Sequence, residues 1–266
     1  DVRIYKGVVK YTSDFLPGAT QPTCGPDTPS GISYRVQYEK QTRSVSTGSV
    51  AFDGDSGLRT ASNGDYALGS GDFTLEFWCY PTATSGFKAI VSDNLYGSGP
   101  ASWCCYMNGS EARVAKTNAG FLTSAAGVLE IRSWNHFCWE RTGSSNVLYI
   151  NGISVATASN NDNFANDRIC IGASNFGGNY PDYNFHGHIS NVRLVKGSNV
   201  YGAAFTPPTE PLTNITNTKF LACQSTSNAL ALTVGPAALA YDYGRPNTGE
   251  NFSTTGSNSP SSSAAN

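Results

Sequence analysis

Two stretches of this sequence carry side chains suited to holding a sugar. "SNFGGNYPDYNF" presents Asn175, Phe176, Asn179, Tyr180, Asp182 and Tyr183, and "DNLYGSGPASW" adds Asp93, Asn94, Tyr96 and Trp103. Aromatic rings stack on the apolar faces of pyranoses, while amides and carboxylates bind hydroxyls. The same residues serve equally well as loop anchors or as aromatics of a subunit interface.

Catalytic chemistry is harder to find. A retaining glycosidase needs two carboxyl groups about 5 to 5.5 Å apart, yet Glu76, Glu130 and Glu140 each lack a second acid two residues on. Glu140 beside Arg141 reads as a strand-surface pair. The three histidines suggest no Ser/His/Asp site. His186 and His188 share a strand face by their spacing and could seed a metal site if a third ligand converged; otherwise they pack on the sheet, and His136 belongs to the core edge. Asp53, Asp55, Asp162 and Asp167, with Asp93, are loop candidates for Ca²⁺, a hard cation that takes oxygen ligands. No dense D-x-D-x-D loop occurs, and Asp in turns commonly bonds its own backbone. The expectation is therefore a non-enzymatic chain with no cofactor, Ca²⁺ being the candidate ion.

Composition narrows the classes further. Charged residues are 14% of the 266 and aromatics 12%, with 28 Gly, which favours short strands and many turns over long surface helices. The net charge of −2 comes without a basic cluster, so nothing supplies the surface that nucleic acid requires. No apolar run approaches the roughly 20 residues of a membrane span. Seven cysteines form neither CxxC clusters nor a small disulfide framework. Core thiols of this kind point to folding in a reducing cytosol, even for a protein that later works outside a cell.

The elements that must position these residues are strands. "GSVAFDG", "DFTLEFWCYP", "FKAIVSD", "SWCCYM", "EARVAK", "WNHFCWER", "NVLYING", "ISVATA", "RICIGA" and "HGHISNVRLVK" recur with turns between them, the pattern of a sandwich. Asn151-Gly152 predicts a type I′ hairpin. In "DFTLEFWCY", Phe73, Leu75, Phe77 and Cys79 alternate with Thr74, Glu76, Trp78 and Tyr80, so the strand is expected to sit centrally. Helix is slight, a turn around "NVYGAAF" at most.

The chain also repeats itself. At an offset of 190 residues, Val2, Arg3, Lys6, Gly7, Tyr11, Phe15 and Pro17 align with Val192, Arg193, Lys196, Gly197, Tyr201, Phe205 and Pro207. Self-similarity at a fixed offset signals tandem modules. The expected organisation is a closing strand and tail of a preceding repeat (1–22), a linker (23–47), a complete module (48–212), a strand-bearing extension (213–244) and a polar tail or arm (245–266).

Three segments together resemble the laminin-G-like branch of the concanavalin A-like lectin/glucanase superfamily. They are "GSVAFDGDSGLRTASNGDYALGSGDFTLEFWCYP", "WNHFCWERTGSSNVLYINGISVATA" and "ICIGASNFGGNYPDYNFHGHISNVRLVKGSNVYGAAFTPPTEP". The connector "DTPSGIS" and "TNTKFLACQS" are similar to sequence between tandem copies in phage tail-fibre and other virion proteins. The resemblance implies an all-β, antiparallel jelly-roll β-sandwich with extended N- and C-terminal arms and rim loops open to sugars or proteins. It further implies a structural or adhesive virion surface protein, a fibre or decoration component; the alternative is an adhesin for host surface polysaccharide, and a glucanase-like hydrolase is the least favoured reading. The partners expected are other virion subunits, neighbouring copies of the chain and host glycan, at a virion surface or outside the cell.

Overall fold

The computed structural model describes residues 48–83, 85–93, 102–116, 119–174, 183–235, 239–242 and 260–261. The expected preceding-repeat strand (1–22), the linker (23–47) and most of the polar tail (245–266) lie outside the described residues. The expected fold class holds: the described chain is all-β and its strands pair antiparallel.

In chain order the strands are β1 (Ser49–Asp53), β2 (Ser56–Arg59), β3 (Phe73–Pro81), β4 (Phe87–Ser92), β5 (Trp103–Asn108), β6 (Glu111–Lys116), β7 (Ala119–Thr123) and β8 (Asn135–Thr142). They continue as β9 (Ser145–Ile150), β10 (Ile153–Ser159), β11 (Cys170–Ile171), β12 (His186–Lys196), β13 (Thr218–Ala222), β14 (Leu232–Val234), β15 (Leu239–Asp242) and β16 (Pro260–Ser261). Sheet A runs β10-β9-β8-β3-β12-β1-β16, with β13 beside β12 and β14 beside β13. Sheet B runs β15-β2-β11-β4-β5-β6-β7. Within the strand-bearing extension expected at 213–244, β13 pairs with β12 of sheet A and β15 with β2 of sheet B. β2 and β7 were not anticipated from sequence; both are short and lack strict alternation.

The core lies between the inner faces. Phe73, Leu75, Phe77 and Cys79 of β3 are fully buried there with Phe137 and Trp139 of β8 and Trp103, Cys105 and Met107 of β5. Phe77 stacks on Phe137 at 4.8 Å, and Trp139 meets Phe73 edge-on at 4.7 Å and Phe164 at 5.6 Å. Such pairs add to area burial. β3 lies between β8 and β12, which is the central place its two buried faces predict.

One irregularity decides the chemistry of sheet A. The pairing of β12 with β3 shifts between Ser190 and Arg193, and Asn191 adopts a positive φ of 53°. Asn tolerates that conformation better than most residues. Its side chain accepts from Leu212 N at 2.9 Å and Gln224 Nε2 at 2.7 Å. This bulge changes parity, so Ile189, Val192 and Leu194 all enter the core while Arg193 pairs with Glu76 on the outer face.

No helical turn forms around "NVYGAAF". Residues 198–213 instead cross the outer face of sheet A as an irregular closing segment, because their backbone groups find partners on the sheet rather than with one another. The short 3₁₀ turn occurs elsewhere, at Gly64–Tyr66, capped by Asn63.

The predicted hairpin is present, with Asn151 at φ 51° and Gly152 at φ 77°. Gly152 is constrained twice, since a Cβ there would lie 1.8 Å from the Phe205 carbonyl oxygen of the closing segment. Gly152→Ala should therefore destabilise the fold by about 2–4 kcal/mol. A thermal melt within a degree of the parent would show that the segment does not press on the hairpin.

Candidate functional site

Both outer faces of the sandwich carry chemistry, and they differ. On sheet A, β3 and β8 place Thr74, Glu76, Cys138 and Glu140 on one face by their register. Glu140 does not form the expected pair with Arg141, because neighbours on a strand point to opposite sides. Glu140 instead accepts hydrogen bonds from Thr74 Oγ1 at 2.9 Å and from the backbone N–H groups of Val200, Tyr201 and Gly202 at 2.8, 2.8 and 2.9 Å. Arg141 gives its guanidinium to the carbonyls of Gly69, Gly71 and Asp162, tying two loops to the strand end.

Glu76 is the centre of a second cluster. Its carboxylate lies 3.1 Å from His136 Nε2 and accepts from Arg193 Nε at 3.0 Å, Arg193 Nη2 at 2.6 Å and the Tyr201 hydroxyl at 2.7 Å. Tyr201 stacks on Phe205 at 3.6 Å, and Phe205 covers the His136 ring at 5.6 Å. Glu76 and His136 are fully buried and Glu140 is 3% exposed. These carboxylates hold the closing segment down and are sealed from solvent by it. Cys138 lies beneath the same layer.

Burial alone would raise the pKa of Glu76. The His136 hydrogen bond, the charges of His136 and Arg193 and the Tyr201 hydroxyl more than offset it, holding Glu76 below its ordinary value of 4.5. A depressed carboxyl pKa stabilises the fold above the unfolded value and loses that contribution as pH falls through the folded one.

Sheet B is different. Because Trp103, Cys105 and Met107 face the core, Cys104 and Tyr106 face outward beside Ala89 and Ala115. Phe87 stacks on Tyr106 at 4.3 Å, and Tyr183 meets Phe87 edge-on at 5.3 Å. Phe87 and Tyr183 are partly exposed, whereas Tyr106 is buried at 6% exposure and Ala89, Cys104 and Ala115 are fully buried, so Phe87 and Tyr183 are the rings a ligand can reach. Arg113, opposite Tyr106 in the register, bonds Glu111 through Nε at 2.9 Å. The Tyr106 phenol and Glu111 together raise the Arg113 pKa. The result is an aromatic platform flanked by a guanidinium and a carboxylate.

The loop expected to bind sugar is anchored on this face. Ser92 Oγ donates to Ala173 O at 3.0 Å at one end, while Asn184 bridges Ala89 and Tyr183 meets Phe87 at the other. Asn175, Phe176, Asn179, Tyr180 and Asp182 lie outside the described residues, as do Asn94 and Tyr96. Asp93 is buried as an anchor, its Oδ2 accepting from Trp103 N at 2.9 Å and Asn166 Nδ2 at 2.8 Å. The structure places Trp103 in the core at 0% exposure, where no ligand reaches it. Alternation in "SWCCYM" allowed either face; the outward residue is Tyr106. Phe87, Tyr106 and Arg113 were legible only once the inner face of β5 was known.

The calcium candidates serve local roles. Asp53 Oδ1 accepts from Asp55 N at 3.1 Å and Ser56 Oγ at 2.9 Å, closing the β1–β2 turn. Asp162 pairs with Lys116 at 2.8 Å, and Asp167 accepts from Ser62. Among the described residues no three His, Cys, Asp or Glu gather so as to hold a metal ion. His186 packs against Gly54, whereas His188 lies among aromatic rings. The six described cysteines are buried; burial raises the Cys79 and Cys223 thiols to about 12.

Two facing antiparallel sheets with this connectivity define a jelly-roll sandwich of the lectin type. The family profile described as Concanavalin A-like lectin/glucanases superfamily, of the laminin-G kind, matches residues 52–198, and the chain belongs to that family. A candidate carbohydrate-binding protein from Bacteroides ovatus superposes with a TM-score of 0.57 at 13% identity, covering 74% of this chain and 58% of that one. This chain thus spans somewhat over half the length of that relative. Mouse laminin α1 domains LG4-5 give 0.46 at 16% identity, covering 64% of this chain and 48% of that one. The CBM40 of Ruminococcus gnavus IT-sialidase, bound to α2,3-sialyllactose, gives 0.45 at 13% identity over 59% and 94%. No curated protein sequence matches the chain.

The Glu76 cluster generates a pH test. Denaturant midpoints should hold near neutral pH and fall as pH drops below about 4.5. Glu76→Gln should cost about 3–5 kcal/mol at pH 7 by leaving Arg193 buried without its counter-charge, and its acid limb should be flatter than the parent's. Parallel pH profiles would remove Glu76 as the titrating group.

Proposed function

We propose that this chain is a non-enzymatic, lectin-like adhesive module that holds surface polysaccharide on the outer face of sheet B. The carrying observation is the Phe87–Tyr106–Tyr183 platform with Arg113 and Glu111 beside it. Stacked rings meet the C–H face of a pyranose, and the flanking guanidinium and carboxylate suit vicinal hydroxyls. The Bacteroides ovatus protein, described as a candidate carbohydrate-binding protein, shares the fold and accords with this reading. Non-enzymatic action accords with Glu76 and Glu140 being enclosed beneath the closing segment.

The module's setting in this reading is a fibre or decoration component at a virion surface, in contact with other subunits or copies of itself. The repeat supports the tandem part of that reading. Arg193, Tyr201 and Phe205, which cover the Glu76 cluster here, recur as Arg3, Tyr11 and Phe15. Repetition of a weak site multiplies its effective strength through avidity.

A polysaccharide array should give a selective signal, weakened about tenfold in Tyr183→Ala and Phe87→Ala with little change in melting temperature. A tenfold loss corresponds to about 1.4 kcal/mol. A flat array, or full signal from both variants, would overturn the glycan reading. Electron microscopy of the source should show the protein on particles; a purified monomer never found on them would overturn the virion setting.

A further inference from the structure

Residues 191–207 meet sheet A through a small set of side chains. In β12, Val192 and Leu194 enter the core and Arg193 reaches Glu76 at 2.6 Å, after which Gly197 leaves the strand at φ 85°. Tyr201 gives its hydroxyl to Glu76 and stacks on Phe205, while Pro207 lies against Gly152 of the hairpin. Elsewhere the backbone serves: the amides of Val200, Tyr201 and Gly202 meet Glu140, and Ala203, Ala204 and Thr206 are exposed.

Residues 1–17 keep that set and vary the remainder. Val2, Arg3, Gly7, Tyr11, Phe15 and Pro17 stand at the same positions, with Ile4 in the place of Leu194. Asp1 falls at Asn191, whose positive φ and twice-accepting side-chain oxygen are both open to an aspartate. Lys10, Ser13, Asp14 and Leu16 fall where the sheet uses only backbone or where the side chain is exposed. Thr12 falls at Gly202, which takes φ 70° and where a Cβ would lie 2.9 Å from Asn199 Nδ2; Val9, at the position of Asn199, removes that atom. Tyr5 replaces the buried Val195, so the sheet it meets must leave room there. Identity follows use: the side chains that touch an acid-bearing sheet recur, and those that do not differ.

Among the described residues one such face exists, and it is filled, with β12 lying between β3 and β1. The chain therefore carries two closing elements for one described sheet. We infer that residues 1–17 close the sheet of a partner sandwich of the same laminin-G kind, one that bears carboxylates at the places of Glu76 and Glu140. Arg3 and the Tyr11 hydroxyl recognise the first acid, and the amides of residues 10–12 the second. A sheet with apolar residues at those places would strand a guanidinium and leave three amides unmet, which selects against it. The chain is then joined to its partner by a strand within a sheet, a main-chain contact made specific by Arg3, Tyr11 and Phe15. The inference rests on the tandem part of the reading above and not on glycan binding.

An acceptor can be made from the chain itself. In a full-length variant with residues 198–207 replaced by Gly and Ser, the Glu140 face is uncovered, and residues 8–17 of another copy should cover it. Light scattering after size exclusion should show this variant associating more strongly than the parent. Tyr11→Ala combined with Phe15→Ala should weaken that association at least tenfold, yet leave the melting temperature of the parent unchanged. A folded acceptor that does not associate would overturn the inference, as would association indifferent to the Tyr11 and Phe15 pair. A parent destabilised by that pair would overturn it too, since residues 1–17 would then serve this chain's own sandwich. If the acceptor does not fold, a graft decides. With residues 8–17 in place of 198–207, the amides at 200–202 should stay slow in hydrogen exchange, whereas a scrambled version of the same ten residues should free them; equal exchange in both would overturn the inference. Neither readout involves sugar, so a flat polysaccharide array leaves this result standing.

Discussion

Two buried carboxylates fix the architecture on which everything else depends. Three consecutive backbone N–H groups of the closing segment converge on Glu140, and the middle residue, Tyr201, also reaches Glu76 through its hydroxyl. A segment without regular structure must place its backbone polar groups somewhere. Here a charge-bearing sheet receives them, and bonds to an ionised acceptor are the stronger kind. Arg193 and His136 supply the compensating positive character that makes Glu76 tolerable at full burial. Removing either acid leaves donors or a guanidinium stranded, whereas with both present the Arg193 guanidinium, the Tyr201 hydroxyl and the three amides are met.

That arrangement also divides the surface by task. Acids that could serve hydrolysis in an open cleft are spent on holding chain to sheet. Among the described residues, partly exposed rings remain on both outer faces, Tyr80 and Trp134 on sheet A and Phe87 and Tyr183 on sheet B. The repeated residues fit the same logic. The copy at 192–207 contains the guanidinium, the phenol and the ring that cover the Glu76 cluster, and the same three residue types recur in sequence as Arg3, Tyr11 and Phe15. The placement of residues 2–17 lies outside the described residues.

Much of the fold was legible because period-two alternation is strong where both faces are buried. β3 and the Asn151-Gly152 hairpin could be read directly, the one from alternating large side chains and the other from two positions that favour positive φ. The site was less legible, for physical reasons. "SWCCYM" alternates large residues on both faces, so only the packed core shows that Trp103 turns inward and Tyr106 outward. The bulge at Asn191 reverses the parity of Val192 and Arg193, and no spacing rule reveals a bulge. Glu140 next to Arg141 looked like a surface pair because adjacency in sequence was read as adjacency in space. The closing segment looked like a helical turn because the partners of its Val200, Tyr201 and Gly202 amides lie 60 residues or more away.

Amide hydrogen exchange tests the central claim most directly. If Glu140 clamps the closing segment, the amides of Val200, Tyr201 and Gly202 exchange at pH 7 as slowly as those of β3 and β8, by the same global opening. Exchange of these three amides orders of magnitude faster than the flanking strands would contradict the account, since the segment would then lift from the sheet on its own and expose Glu76.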